Sequence, residues 1–88
     1  MLEKEIVVKN KLGIHARPAA LLVKNAGQFE SKIEIKRDDL IVDGKSIMGV
    51  MMLAAEQGAT LIFSIDGTDE ERAMKAISKL FEENFYEE

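Results

Sequence analysis

The one histidine of this 88-residue chain, His15, is the side chain best suited to covalent chemistry. A neutral imidazole nitrogen is a nucleophile, and it can take up a phosphoryl group and release it again. Arg17 lies two residues further on, and its guanidinium offers a fixed charge and a donor pattern that suit phosphate oxygens. Pro18 follows and fits the first turn of a helix without losing a helical hydrogen bond. The segment therefore predicts an anion site at a helix start, where backbone N–H groups have no partner within the helix.

The sequence offers no second catalytic group beside His15. No acidic residue lies close to it along the chain, and no glycine-rich nucleotide loop is visible. A chain that can hold a phosphoryl group but has no group to make one is a carrier and not an enzyme in its own right. Two alternatives remain open. One is a plain surface or helix-cap histidine, and the other is a phosphatase or mutase, which would need a general acid and a substrate pocket.

A second helix start is predicted at Ser46, a favoured N-cap residue, with the helix covering residues 47–55 before Gly58. Helical spacing places four residues towards the core: Ile47, Val50, Met51 and Ala54. Three apolar residues are then left with no polar face to balance them: Met48, Met52 and Ala55. A helix buried on all sides is hard to arrange in a chain this short, so part of this helix is predicted to form an exposed apolar docking patch. Phosphorylation of Ser46 would be sterically open and tolerated by its own helix.

The remaining pattern predicts one domain over residues 1–88. Strands are predicted over residues 5–9, 32–36, 40–42 and 60–66, and helices over 15–26, 47–55 and a C-terminal stretch. Gly27 is placed to end the first helix, and a capping box at residues 68–71 to start the last. The acidic tail from residue 82 is expected to fray. The order β-α-β-β-α-β-α predicts an α+β open sandwich with helices on one side of a sheet, whose strand order the sequence does not give.

Composition narrows the class of protein. The net charge is −4 and the basic residues are dispersed among acids, which disfavours nucleic-acid binding. The chain has no cysteine and one histidine, so no disulfide, metal site or cofactor is expected. Its apolar runs are too short to span a bilayer, and no signal peptide is visible. These features predict a soluble cytoplasmic protein without membrane insertion.

Two segments resemble one known family. Leu12-Gly13-Ile14-His15-Ala16-Arg17-Pro18-Ala19 closely resembles the active-site signature of HPr, the histidine-containing phosphocarrier of the bacterial phosphoenolpyruvate-dependent sugar phosphotransferase system. Gly44-Lys45-Ser46-Ile47-Met48-Gly49-Val50-Met51 resembles the regulatory serine segment of that family. The resemblance covers the whole chain in length and element order. It implies a four-stranded antiparallel sheet with three helices on one face.

The resemblance also implies roles for individual residues. His15 would be phosphorylated on Nδ1 by enzyme I, which draws on phosphoenolpyruvate, and would pass the group to sugar-specific IIA domains in sugar transport. Arg17 would steady the phosphoryl group. Ser46 would be the target of an ATP-dependent HPr kinase/phosphorylase. An apolar docking patch with its flanks would comprise Ala20, Lys24, Ile47, Met48 and Met51.

A regulatory function remains an alternative to the phosphocarrier function. Phosphoserine at Ser46 could switch binding to partners such as a transcription regulator, and a nitrogen-branch paralogue remains an alternative to the sugar branch. One paralogue group keeps the serine but replaces the histidine, and His15 argues against that group. Residues 52–55 and Gly27 depart from the residues commoner in the family, which bears on the choice of partners. The protein is predicted to be a monomer.

Overall fold

The computed structural model describes residues 1–86 of the 88. Four strands and three α-helices follow one another along the chain as predicted: β1 (Leu2–Val7), α1 (Ala16–Ala26), β2 (Lys32–Arg37), β3 (Leu40–Asp43), α2 (Ile47–Met52), β4 (Thr60–Asp66) and α3 (Glu70–Glu82). A short turn, Asn84–Tyr86, follows α3. None of the helices in the described part of the chain is long and apolar enough to cross a membrane.

The sheet is antiparallel throughout, in the order β1-β4-β2-β3. The period-two alternation of β4 determines its faces: Leu61, Phe63 and Ile65 are fully buried, whereas Ile62 and Ser64 lie on the other side. The buried face packs in one cluster with apolar residues of all three helices, among them Leu22, Val50 and Ile77. The α+β open-faced sandwich predicted from the sequence is confirmed.

Strand β1 begins three residues earlier than predicted, at Leu2, and ends at Val7. Residues 3–5 are all charged, so the apolar pattern did not indicate this part of the strand. Lys4 alternates with Leu2 and Ile6, and its Nζ donates to Ser78 Oγ of α3 at 2.9 Å. A lysine can lay its aliphatic stem along apolar surface in this way, so it can occupy a position in an edge strand where an apolar residue is expected.

Helix α2 is shorter than the predicted range 47–55, because it ends at Met52. Ala54, just beyond, has a left-handed backbone with φ 46°. The guanidinium of Arg37 donates to the carbonyl oxygens of Leu53 at 3.0 Å and Ala54 at 2.8 Å, which gives these helix-end carbonyls a partner. A side chain of β2 thus holds the end of α2.

The division of α2 into faces also differs from the prediction. Among its residues Ile47–Met52, Val50 alone is buried. Ile47 and Met51, predicted to face the core, are 45% and 43% exposed, and Ala54 is exposed too. Ala55, predicted to be outside, is buried because the chain has left the helix and turned back towards the core.

Helix α3 begins differently from the predicted capping box at residues 68–71. Its N-cap is Asp69, whose carboxylate makes no capping hydrogen bond to its own helix. That carboxylate instead accepts hydrogen bonds from Ser31 Oγ and from the backbone N–H groups of Glu30 and Ser31, at 2.9 and 3.0 Å. The hydroxyl of Ser31 first, and then the Glu30 N–H, lower the pKa of Asp69 to about 2. Asp69 therefore joins the start of α3 to the segment that leads into β2.

The end of the chain is packed as far as Phe85, so the prediction of fraying from residue 82 is wrong there. Phe85 is 1% exposed although its φ is 55°. Its ring lies edge-on to Phe81 at 4.7 Å between centroids, and Phe81 lies edge-on to Phe63 of the sheet at 5.5 Å. Residues 87 and 88 of the predicted tail lie outside the described residues.

Candidate functional site

His15 is the N-cap residue of α1. Its backbone is extended, with φ −82° and ψ −170°, and its carbonyl oxygen accepts the N–H of Ala19 at 3.0 Å. Within residues 1–86 its side chain makes no capping hydrogen bond to the helix, and the residue is partly exposed. The imidazole is therefore not used to close the helix and lies beside the positive end of the α1 dipole.

The loop in front of His15 is rigidly held. The Gly13 N–H donates to the carbonyl oxygen of Asn10 at 3.0 Å, and the buried Asn10 side chain donates back to the Gly13 carbonyl at 2.6 Å. The next residue, Ile14, is buried and donates its N–H to the carbonyl oxygen of Ala55 at 2.8 Å. The residues immediately before the histidine thus have fixed backbone positions.

The first turn of α1 has the character expected for an anion site. Its sequence is Ala-Arg-Pro-Ala, without an acid. Arg17 is the second helical residue and is exposed, and Pro18 is the third and is buried. Proline lacks an N–H, but no intrahelical bond is lost at this position. The helix dipole and the positive charge of Arg17 both favour negative charge at this end of α1.

Ser46 is the N-cap of α2, as predicted. Its Oγ accepts the N–H of Gly49 at 3.2 Å, and the residue is partly exposed. Beyond it lie the side chains for which the family resemblance implies a docking role, and the structure exposes them: Ile47 is 45% exposed, Met48 75% and Met51 43%.

Helices α1 and α2 pack against each other, so the docking residues lie on neighbouring elements. Ala20 and Lys24 are both exposed on α1. We use "docking patch" for these two residues together with Ile47, Met48 and Met51.

Arg37 is a residue that sequence reasoning missed. Besides holding two carbonyls at the end of α2, its guanidinium contacts Glu56 Oε1 at 2.7 Å. The backbone N–H of Glu56 itself, and then the hydrogen bond from Arg37, lower the pKa of the Glu56 carboxyl. No local pattern could indicate these contacts, because Arg37 reaches residues 16 to 19 positions further along the chain. Asn10 was missed as well, although the Asn-x-x-Gly spacing is a recognisable turn signal.

The described residues contain no group of three or more His, Cys, Asp or Glu side chains placed to hold a metal ion. What they do contain is one imidazole at the start of a helix, on an open-faced α+β sandwich, next to an arginine and beside a second helix with an exposed apolar surface. These are the features from which the sequence predicted a carrier of phosphoryl groups.

Comparison with known proteins gives the family. The family model described as "PTS HPr component phosphorylation site" matches residues 2–83. Over 88 residues, 100% of this chain and 99% of the relative, the sequence is 50% identical to the phosphocarrier protein HPr of Xylella fastidiosa strain 9a5c. The crystal structure of HPr-C-His from Thermoanaerobacter tengcongensis superposes with a TM-score of 0.96 at 49% identity, covering 100% of this chain and 99% of that one. The chain belongs to the HPr family of phosphocarrier proteins of the phosphotransferase system.

A protein that is named HPr-like also matches the chain. The HPr-like protein Crh of Halalkalibacterium halodurans is 46% identical over 82 residues, which cover 93% of this chain and 98% of that protein.

Proposed function

We propose that this protein carries a phosphoryl group on His15, which it receives from enzyme I and passes to sugar-specific IIA domains. The observation that carries the proposal is the position of His15 as the N-cap of α1, at the positive end of that helix and two residues before Arg17. Membership of the HPr family supports the same role.

The proposed transfer uses the imidazole as the nucleophile. A ring nitrogen, Nδ1 in our proposal, attacks the phosphorus with its lone pair while the bond from phosphorus to the donor breaks. The oxygens of the adduct then lie where the first-turn N–H groups and the dipole of α1 favour negative charge, and Arg17 adds a guanidinium. When an acceptor attacks the phosphorus, the bond to His15 breaks and the imidazole leaves. Since the chain brings no acid into the first turn, partners supply any further catalytic groups.

The docking patch is proposed to bring donors and acceptors to His15. A carrier must meet at least two different partners with the same histidine, so one surface has to fit several sites. The methionines suit this, because their unbranched and polarizable side chains adapt to different apolar surfaces. Met48 and Met51 lie on α2, which packs directly against the helix that His15 begins.

The proposal is tested by incubating the protein with enzyme I and phosphoenolpyruvate and measuring bound phosphate by intact-mass spectrometry. We expect one acid-labile phosphoryl group per chain, and none in His15→Ala. Ser46→Ala is the matched control and should accept the group as the natural sequence does, because it removes the other proposed phosphorylation site and leaves the imidazole. Full labelling of His15→Ala would disprove the assignment.

We propose as a second function that Ser46 switches the docking patch. The supporting observation is that the Ser46 hydroxyl caps the helix that carries Ile47, Met48 and Met51, so a phosphate there would stand at the edge of that surface. Phosphorylation by an HPr kinase/phosphorylase would add a charge of about −2. The added charge would weaken docking to acidic partners and could offer a charged contact to a transcription regulator.

A charge-only comparison tests the switch. Asp and Asn are both good N-cap residues, so Ser46→Asp and Ser46→Asn keep α2 capped and differ in one negative charge. We expect Ser46→Asp to raise the KM for transfer from enzyme I about tenfold, while Ser46→Asn stays near the natural protein. Equal KM values for the two variants would count against the switch.

A further inference from the structure

The turn that leaves α2 is held from one side by a single side chain of β2. The Arg37 guanidinium donates to the carbonyl oxygens of Leu53 and Ala54 and contacts the Glu56 carboxylate at 2.7 Å. One nitrogen, Nη1, binds both carbonyls, and the other, Nη2, binds the carboxylate. The Arg37 side chain is 25% exposed and its contact with the Leu53 carbonyl is partly buried, whereas the contacts with Ala54 and with the 67% exposed Glu56 side chain are open to water.

The same turn supports the His15 loop on its other side. Between the residues that Arg37 holds lies Ala55, whose carbonyl oxygen accepts the N–H of Ile14 at 2.8 Å. A Cβ at Gly13 would overlap that same carbonyl oxygen, so the two backbones are in direct contact there. The contact is reinforced further along, where the Gln57 side chain donates to the Lys9 carbonyl oxygen at 3.0 Å.

We infer that Arg37 is a positioning residue for His15: by fixing the turn Leu53–Glu56 through two carbonyls and a carboxylate, it fixes the Ala55 carbonyl on which the His15 loop rests. This inference rests on the proposed phosphocarrier function, and it adds a residue that touches neither the phosphoryl group nor His15 itself.

The need for an arginine follows from the geometry. The turn includes Ala54 in a left-handed conformation, which is unfavourable for a residue with a side chain and therefore requires support from its surroundings. A planar guanidinium can bind the helix-end carbonyls and the carboxylate at the same time in one fixed arrangement. A lysine ammonium keeps the charge but has no fork, so it cannot fix all three acceptors.

The consequence for transfer concerns rate and not docking. Phosphoryl transfer needs the nucleophile aligned with phosphorus, and a displacement of about 1 Å can slow such a reaction by up to about a hundredfold. Of the docking residues on α2, Ile47 and Met48 lie at the other end of the helix, near the Ser46 cap, and Met51 alone lies close to the turn. Loss of the Arg37 contacts should therefore lower kcat more than it changes KM.

The experiment compares Arg37→Ala and Arg37→Lys with Lys36→Ala, which removes an exposed cation from the neighbouring position of the same strand. Transfer from phosphorylated enzyme I is measured as kcat and KM for this protein, and the exchange of the Ile14 amide with deuterium is followed by NMR. We expect kcat to fall about tenfold in Arg37→Ala and about threefold in Arg37→Lys, with KM within about twofold and faster Ile14 exchange. Lys36→Ala should match the natural protein.

Three results would overturn the inference: natural kcat and Ile14 exchange in Arg37→Ala, an effect on KM alone, or natural values of both readouts in Arg37→Lys. If Arg37→Ala does not fold, Arg37→Lys decides by the same criteria. Failure of the proposed function looks different, because the natural protein would then accept no phosphoryl group, while Ile14 exchange would still report whether Arg37 holds the loop.

Discussion

Gly13 combines two local requirements in the residue next but one to the histidine. Its φ of +68° lies in the left-handed region, which glycine adopts without a steric penalty. Its missing side chain also leaves the space in which the carbonyl oxygen of Ala55 lies. Backbone conformation and close approach thus act together at this one position to place Ile14 and His15.

Replacing Gly13 separates these requirements when it is compared with Gly58. Gly58 also has a positive φ, +92°, but an added Cβ there would meet no heavy atom within 4 Å in the described residues other than Gly58 and its two chain neighbours. We expect Gly58→Ala to lower the free energy of unfolding by about 1–2 kcal/mol, the cost of the backbone conformation alone. Gly13→Ala should cost more than about 2 kcal/mol, because it adds the overlap with Ala55.

Urea denaturation of both variants gives these free energies. Equal losses in the two variants would show that the close approach at Gly13 does not constrain the loop. The Gly13→Ala protein that remains folded should also accept phosphate from enzyme I more slowly than Gly58→Ala.

At the scale of secondary-structure elements, α2 combines a short core contact with a wide exposed surface. Val50 fixes the helix to the core, while Ile47, Met48 and Met51 stay partly or largely exposed. The outer face of the sheet offers an apolar residue for comparison, since Ile41 of β3 is 57% exposed. The two isoleucines have similar exposure on opposite sides of the molecule.

The pair Ile47→Ala and Ile41→Ala tests which side partners use. If the docking patch receives enzyme I, Ile47→Ala should weaken its binding about tenfold, or by about 1–2 kcal/mol. Ile41→Ala loses the same side-chain atoms and should leave the affinity unchanged. Isothermal titration calorimetry with enzyme I measures both, and equal losses would move the docking surface away from α2.

The sequence predicted elements best where local pattern decides. The strand predicted over residues 60–66 matches the bounds of β4, and α1 ends at Ala26, immediately before Gly27, as predicted. His15 and Ser46 were recognised because caps are local features. The choice of cap for α3 and the end of α2 were wrong because distant partners decide them: Ser31 attracts the Asp69 carboxylate, and Arg37 holds the carbonyls beyond Met52.

At the scale of the whole molecule, Asp69 ties the last helix to the sheet across nearly forty residues of sequence. Its carboxylate alone accepts the backbone N–H groups of both Glu30 and Ser31. The ionised form is the one stabilised, since its pKa is lowered from 3.8 to about 2 in the folded protein.

The lowered pKa predicts an acid-dependent part of the stability. A group whose pKa is depressed by folding stabilises the folded state fully above its unfolded value, here 3.8, and this contribution is lost as the pH falls through about 2. We expect Asp69→Asn to have a lower Tm than the natural protein at pH 7, and the difference to shrink between about pH 4 and pH 2. Asp39→Asn, an exposed turn residue, is the control and should show no such convergence.

Calorimetric melting curves of the natural protein and the two variants across this pH range measure these Tm differences. A Tm difference that stays constant down to pH 2 would show that the Asp69 carboxylate contributes through shape alone and not through its charge.

The strand order β1-β4-β2-β3 also has a consequence for how the chain folds as it is made. Within residues 1–86, β1 pairs with β4 and with no other strand, so Thr60 must be synthesised before Val7 can pair with it. Of the strand pairs described above, β2–β3 is the one that can form before β4 is made, and an isolated hairpin is marginally stable in water. Pairing between strands so far apart in the sequence slows folding, because the chain loses entropy in closing the loop between them before the strand contacts can stabilise it. The nascent protein should thus stay sensitive to proteases until β4 has left the ribosome, and it should then fold as one unit.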